Sequence, residues 1–192
     1  REASGATILW TSLPILLVYG VILFNSLVSV KNAVSKAWAN IDVLLKQRHD
    51  ELPKLVDTCR QYMQHEQLTL EKVIQARARV ADARESHDIG ALGLAEGALR
   101  SGLGNLFALA ESYPDLKANE QFLHLQSRIS GLESAIADRR EFYNESVNIN
   151  NVSIEQFPEL LIARLFKFKS FELLKFSADE LKDVDIGQRF RA

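Results

Sequence analysis

The sequence has little cysteine, proline or glycine, and its charges nearly cancel. Its 192 residues include one Cys, four Pro and nine Gly. The single cysteine, Cys59, excludes a small secreted fold held together by intrachain disulfides. So little Pro and Gly excludes collagen-like and low-complexity disordered chains. With 23 Lys and Arg against 25 Asp and Glu, the chain has no overall attraction to nucleic acid, so no nucleic-acid partner is predicted.

Charge is absent from one long stretch near the N-terminus, residues 3–30. The most apolar part, about residues 7–27, is as long as the roughly 20 helical residues that cross a hydrocarbon core of about 30 Å. A cleaved signal peptide would have a shorter apolar core with a small-residue cleavage site after it, and a buried core helix would rarely stay uncharged so long. The sequence therefore predicts that residues 1–30 are a membrane anchor. Its candidate membrane residues are Trp10, Leu13, Leu16, Leu17, Tyr19, Ile22 and Phe24.

The flanking charges predict the orientation of this anchor. Among Lys and Arg, Arg1 alone precedes it in this sequence, whereas Lys31, Lys36, Lys46 and Arg48 follow it. An excess of Lys and Arg marks the cytoplasmic side of a span. The prediction is a single-pass protein with its N-terminus outside and its main body in the cytoplasm.

The body has the apolar spacing of helices. No Pro or Gly separates Asn25 from Leu52, so the membrane helix is expected to continue into a segment with apolar residues at intervals of three and four. Pro53 suits a first helical turn and predicts a new helix from Pro53 to about Glu85. The apolar positions of the continuing segment are Val34, Trp38, Ile41 and Leu45.

A segment rich in Ala, Leu and Gly follows, and it predicts a helix over residues 91–110. Gly93 and Gly97 have the spacing that lets helices approach closely, while Glu96 and Arg100 have that of a helix-surface pair. The preferred interpretation is a helix packed tightly in a bundle, and a second membrane segment is the alternative.

The sequence Tyr113-Pro114-Asp115 predicts a break, and a heptad-like stripe then predicts a helix over about 119–150. Ser153 is expected to cap a short helix over residues 154–166. Apart from a possible strand at residues 166–169, no alternating pattern indicates β-structure. The predicted fold is therefore all-α, an N-terminal transmembrane helix continuing toward an elongated antiparallel helical bundle. The stripe residues are Phe122, Leu125, Ile129, Leu132, Ile136, Tyr143 and Val147.

Motifs that carry chemistry are missing from the sequence. His65-Glu66 begins like a zinc-protease motif, but Thr69 stands where the second His is required. There is no P-loop, no dinucleotide-binding glycine pattern and no nucleophile elbow. Cys59 lies on an apolar stripe without an activating partner, which favours a core thiol. No catalytic residue, metal ligand or cofactor is predicted.

Basic and aromatic residues alternate near the C-terminal end. Such mixtures lie on anionic membrane surfaces or partners, but the rings would equally close the bundle or an oligomer interface. The candidate contact residues are Arg164, Phe166, Lys167, Phe168, Lys169 and Phe171.

Several blocks of sequence resemble the bacterial LemA family over about residues 25–168. The resemblance is carried by Ala37-Trp38-Ala39-Asn40-Ile41-Asp42-Val43, Leu45-Lys46-Gln47-Arg48-His49-Asp50, Tyr113-Pro114-Asp115-Leu116-Lys117-Ala118-Asn119 and Phe157-Pro158. It implies a helical bundle with one N-terminal span in the bacterial inner membrane, no established enzymatic activity, and a link to membrane metalloproteases or other envelope proteins. On this basis residues 31–168 are expected to form a LemA-like bundle, with 169–192 as an extension.

Three functional hypotheses follow. The leading one is a non-enzymatic inner-membrane scaffold or adaptor that self-assembles and binds envelope or membrane-protease partners. The second is a membrane-shaping protein whose segment 91–110 or 164–176 enters the lipid interface. The third, an enzyme or small-molecule sensor, would use polar groups inside the bundle, with Arg48, Asp50 and Tyr143 as candidates.

Overall fold

The structure, a computed structural model, describes the backbone of residues 2–176 and the side chains of Trp10 and residues 12–176. Within this range the chain forms helices and no strand, which confirms the all-α prediction. Residues 166–169 form a turn and irregular backbone instead of the possible strand. The six helices are α1 (Glu2–Arg60), α2 (Gln67–Glu85), α3 (Ile89–Ala110), α4 (Pro114–Lys117), α5 (Glu120–Glu155) and α6 (Glu159–Leu165).

Helix α1 is continuous from the predicted span into the body, so the expected continuation past Asn25 is confirmed. The prediction of a new helix at Pro53 is wrong, because α1 passes through Pro53 and ends at Arg60. A proline in a helix leaves the carbonyl four residues earlier without its amide donor. Here that carbonyl belongs to His49, and Arg77 of α2 donates its Nε–H to it at 3.0 Å. The guanidinium replaces the missing donor, so the helix continues.

The corner before α5 is built by the Asn119 side chain. Its Oδ1 accepts a hydrogen bond from the Phe122 amide at 2.9 Å, and its Nδ2 donates to the Tyr62 hydroxyl at 3.1 Å. The first bond satisfies an amide that the helix itself leaves free, as expected of Asn at a helix start. The predicted helices over 91–110 and about 119–150 are present as α3 and α5.

The prediction that Ser153 caps the last helix is wrong, because Ser153 lies inside α5. The break falls instead at Phe157-Pro158, whose peptide bond is cis, and α6 follows it. Proline disfavours helical backbone in the residue before it, which places the helix boundary at Pro158.

The described chain divides into two compact units. The first contains the chain up to Trp38 and residues Tyr143–Phe171, and the second contains Ala39–Phe142 and the segment from Glu172. The first unit buries Leu27, Val34 and Val147, and Trp38 meets Tyr143 edge to face at 5.8 Å. The larger core of the second unit includes Ile41, Leu45, Leu52, Leu55, Leu99, Leu106, Phe122, Leu125, Ile129 and Ile136.

Candidate functional site

The predicted anchor residues lie on the early part of α1, in the first unit. Trp10 is 81% exposed, and Leu16 and Ile22 are 64% and 58% exposed. Leu13, Leu17 and Tyr19 are exposed too, whereas Phe24 is half-buried. Among the described residues one helix is long and apolar enough to cross a membrane, judged by length and composition, and it is α1. The apolar side chains in the early part of α1, up to Ile22, are exposed, unlike those of a core helix.

An open groove follows the exposed part of α1 and lies within the first unit. Its aromatic floor is formed by Phe24, whose ring centroid lies 4.8 Å from that of Phe166 and 5.8 Å from that of Phe168. The groove has a volume of about 640 Å³. It brings together five of the six basic-aromatic candidates, Phe166, Lys167, Phe168, Lys169 and Phe171, and adds Lys31 of α1. The sixth, Arg164, is exposed on α6 outside the lining.

Lys167 in this groove has an uncommon backbone conformation, with φ of 57°. Its amide bonds to the Arg164 carbonyl at 3.3 Å, and the Phe168 amide bonds to the Ala163 carbonyl at 2.9 Å. These two bonds form a Schellman motif at the end of α6, with Lys167 at the position that glycine usually occupies. Lys167 therefore carries a side chain where glycine would fit with less backbone strain.

Two asparagines of α5 hold the irregular segment that follows α6. Asn151 Oδ1 accepts from the Phe171 amide and its Nδ2 donates to the Phe171 carbonyl, both at 2.9 Å. The buried Asn150 donates to the carbonyl of Lys169 at 3.2 Å. The sequence predicted that this helix ends at about residue 150, next to these asparagines. The two adjacent side-chain amides instead bond to the backbone of Lys169 and Phe171, contacts that no local sequence pattern indicates.

The second unit contains a buried ion cluster. Arg48 is 1% exposed, and its guanidinium makes a bidentate contact with Glu96, which is fully buried. Its Nη1 also donates to Glu133 at 2.6 Å, and Arg100 Nε lies 3.5 Å from the other oxygen of Glu133. The prediction of a surface pair between Glu96 and Arg100 is therefore wrong. A charged residue on a glycine-rich helix was expected to face solvent, but Arg48 of α1 offers Glu96 an internal partner.

Burial raises the pKa of Glu96 above its ordinary value, and the neighbouring charge of Glu133 adds to the rise. The contacts with Arg48 act in the opposite direction. The charged groups of this cluster are paired with one another, although Arg48 Nε is buried without a hydrogen-bond partner. The cluster is therefore a structural unit more than a reactive site.

The polar residues considered for a ligand pocket have different surroundings. Arg48 is used in the ion cluster of the second unit, and Asp50 is exposed. Tyr143 is buried in the first unit against Trp38. Burial raises the pKa of the Cys59 thiol to about 12, which keeps it protonated. Among the side chains that the structure describes, no group of three or more His, Cys, Asp or Glu has the arrangement of a metal site.

Gly93 and Gly97 of α3 lie directly against the backbone of Lys175 and Phe176. A Cβ added at Gly93 would lie 1.9 Å from the Lys175 carbonyl oxygen, and one at Gly97 would lie 2.0 Å from that of Phe176. The Arg140 guanidinium lies 4.1 Å from the centroid of the Phe176 ring. The close approach predicted from Gly93 and Gly97 is therefore made to the non-helical backbone of Lys175 and Phe176, and not to a second helix.

Comparison with known proteins identifies the family. The sequence pattern of the LemA family matches residues 37–187, and the chain belongs to this family. The match runs on to residue 187, so it includes most of the segment described above as an extension. The family is not a known enzyme family.

The chain is similar to individual proteins named LemA and MamQ. The chain is 27% identical to "Protein LemA" of Metamycoplasma hominis over 164 residues, 84% of this chain and 72% of that protein. It is 32% identical to "Magnetosome protein MamQ 2" of Paramagnetospirillum magneticum and "Magnetosome protein MamQ" of Magnetospirillum gryphiswaldense over 78 residues, 41% of this chain. The matched part spans only 29% of each magnetosome protein.

Proposed function

We propose that this chain is a non-enzymatic, membrane-anchored helical scaffold or adaptor. The observation that carries the proposal is the uncovered apolar surface of α1 between Trp10 and Ile22. Fully burying one large apolar side chain is worth about 1.5–3 kcal/mol, so leaving such a continuous surface in water is costly. A bilayer removes that cost, and helical backbone needs no further hydrogen-bond partner there.

The orientation follows from the charges. Residues 3–30 carry no charge, and Lys31, Lys36, Lys46 and Arg48 follow them. We expect a single crossing of the bacterial inner membrane, with the body in the cytoplasm. Attachment is tested by extracting membranes at alkaline pH. The full chain should stay in the pellet, and its release would overturn the anchor.

An apolar ridge in the first unit supports the scaffold part of the proposal. Phe157 is 78% exposed, and Leu161 and Leu165 of α6 are 59% and 71% exposed. Their four-residue spacing places the two leucines on one face of α6. An uncovered apolar ridge marks a surface that contacts protein, and we propose that it pairs with a second copy of this chain. Envelope proteins and membrane proteases are the further partners that we expect.

Self-assembly is tested on the detergent-solubilised full chain by light scattering and crosslinking. The variant Leu161→Glu with Leu165→Glu should lower the oligomer mass, because each carboxylate would lose its water in the interface. Leu68→Glu on α2 is a matched control, since Leu68 is 74% exposed outside the ridge. A wild-type chain that is strictly monomeric at all concentrations contradicts the self-assembly.

A further inference from the structure

We propose that the aromatic–lysine groove of the first unit binds the headgroup of an anionic phospholipid. Its cationic rim is formed by Lys31 of α1 together with Lys167 and Lys169, which follow α6. Its floor is formed by the rings of Phe24 and Phe166. The inference rests on the anchor of the proposed function, because only a crossing α1 brings the groove to the bilayer surface.

The position of the groove along α1 matches the level of a lipid phosphate. Ile22 is 58% exposed in the apolar part of α1, and Lys31 lies nine residues further along the same helix. At about 1.5 Å per residue, Lys31 lies roughly 13 Å beyond Ile22 and roughly 6 Å beyond residue 27, where the predicted span ends. The headgroup region adds about 5–8 Å on each side of the hydrocarbon core, so Lys31 would lie at headgroup level when α1 crosses the bilayer. Phe24 lies between Ile22 and Lys31 on α1, and the Phe166 ring contacts the Phe24 ring, so the upper acyl carbons of a lipid in the groove would contact both rings.

The charge of the groove favours an anionic headgroup over a zwitterionic one. Its lining contains three lysines and no carboxylate. In the part of the chain that the structure describes, Lys31, Lys167 and Lys169 have no ion pair with an acidic side chain. Three exposed ammonium groups around one opening repel one another, and a phosphate between them would neutralise that repulsion.

Lys167 adds an independent argument, because its backbone conformation favours glycine. With φ of 57° it occupies the glycine position of a Schellman motif. The same motif ends α2, where His87 has φ of 56°. Lys167→Gly therefore removes the charge while relaxing the backbone, and His87→Gly relaxes the backbone without touching the groove.

The test is a lipid titration of the full chain in non-ionic detergent, read by native mass spectrometry. Phosphatidylglycerol should bind more tightly than phosphatidylcholine with the same acyl chains. Because a lysine near an anionic lipid contributes about fivefold in affinity, Lys167→Gly should weaken phosphatidylglycerol binding by about that factor. The triple variant Lys31→Gln, Lys167→Gly and Lys169→Gln should lose roughly a hundredfold. His87→Gly and Lys36→Gln, which removes a lysine outside the groove, should bind as the wild type does.

A destabilised fold cannot explain the expected loss, since Lys167→Gly should unfold at an equal or higher denaturant concentration. Equal binding of the two lipids, or wild-type affinity in the triple variant, would overturn the proposal. Displacement of lipid by a polyglutamate peptide at lower concentration would assign the groove to an acidic protein partner instead, and displacement by glycerol phosphate to a soluble phosphate. Alkaline extraction of the same variants reports on the anchor separately, so failure of lipid selectivity and failure of membrane attachment are distinguishable.

Discussion

The early and late parts of α1 contain similar apolar residues in different arrangements. Between Trp10 and Ile22 apolar residues occupy consecutive positions, so they cover every face of the helix and stay exposed. Between Ile41 and Cys59 they recur at intervals of three and four, and the resulting stripe is fully buried. The distribution of apolar residues around a helix, more than their number, therefore decides whether one stripe is buried in the protein or apolar surface is left exposed on every face.

The largest expected effect comes from placing charge in the early part. Leu16→Arg together with Val18→Arg puts two guanidiniums in the middle of the uncovered apolar surface, at a cost of about 3 kcal/mol each in a bilayer. Most of the chain should leave the membrane on alkaline extraction. Val43→Arg is the control, because Val43 is 55% exposed on the late part of α1 and should tolerate the charge. If the double variant sediments with membranes as the wild type does, the early part is not the anchor.

In the late part of α1, the largest loss of stability is expected from replacing the buried Arg48. Arg48→Met leaves Glu96 and Glu133 without their shared partner, which should lower the free energy of unfolding by about 3–5 kcal/mol. Denaturant unfolding followed by circular dichroism measures the loss. Adding Glu96→Leu should recover part of it, and Lys46→Met, a change at an exposed neighbour, should cost little. A loss no larger than that of Lys46→Met contradicts the structural role of the cluster.

A smaller loss of stability is expected where the backbone of Lys175 and Phe176 packs against α3 in the second unit. Gly93→Ala places a methyl group 1.9 Å from the Lys175 carbonyl oxygen, so the backbone must move. We expect a loss of about 1–3 kcal/mol in unfolding free energy. Gly104→Ala on the same helix meets nothing within 4 Å and should stabilise by up to about 1 kcal/mol, since alanine favours helix. Equal effects of the two changes would show that the C-terminal segment does not rest on α3.

A smaller effect is expected at Pro53, in the late part of α1. Arg77→Met removes the donor to the His49 carbonyl that Pro53 leaves free, and an unpaired buried acceptor costs about 1–3 kcal/mol. In the Pro53→Ala background the amide returns, so the same change should cost clearly less. Arg79→Met, at an exposed position on α2, is the control. Identical losses in both backgrounds would remove Arg77 as the reason why α1 continues.

The smallest effect is a pH dependence at His49. Burial lowers the pKa of His49, and the charge of Arg77 lowers it further. The unfolded chain then binds the proton more readily, so this contribution to stability is present above the ordinary histidine pKa of about 6.5 and is lost as the pH falls below it. Unfolding midpoints at neutral and mildly acidic pH should differ less in His49→Gln than in the wild type. An unchanged difference would assign the pH dependence to other groups.

Periodicity predicted most helices because it reports which face is buried, and it needs no knowledge of the partner. Helices α3 and α5 were found this way, and the continuous α1 followed from the absence of breakers before Leu52. The wrong boundaries at Pro53 and Ser153 have different physical causes. At Pro53 a distant donor, Arg77, which lies 24 residues further along the chain, outweighed the local preference of proline. At Ser153 one local signal outweighed another, because Pro158 sets the helix boundary and Ser153 stays inside α5.

The groove was predictable only in part. The alternation of basic and aromatic residues after Arg164 indicated a contact surface, but not that Phe24 and Lys31 of α1 would complete it. No local pattern could show that Asn150 and Asn151 hold the backbone of residues 169–171, because those bonds join segments about twenty residues apart.

The helical class, the uncharged apolar N-terminal segment and the family resemblance could be read from the sequence, since each depends on local spacing or on contiguous blocks. The positions of the body's charged side chains became evident only from the packing of the helices. The sequence predicted Glu96 on the helix surface and offered Arg48 only as one of several candidate polar groups inside the bundle. The two are buried together because each provides the partner that the other needs away from water. Pairing between distant residues depends on the fold, and helical periodicity carries no information about it.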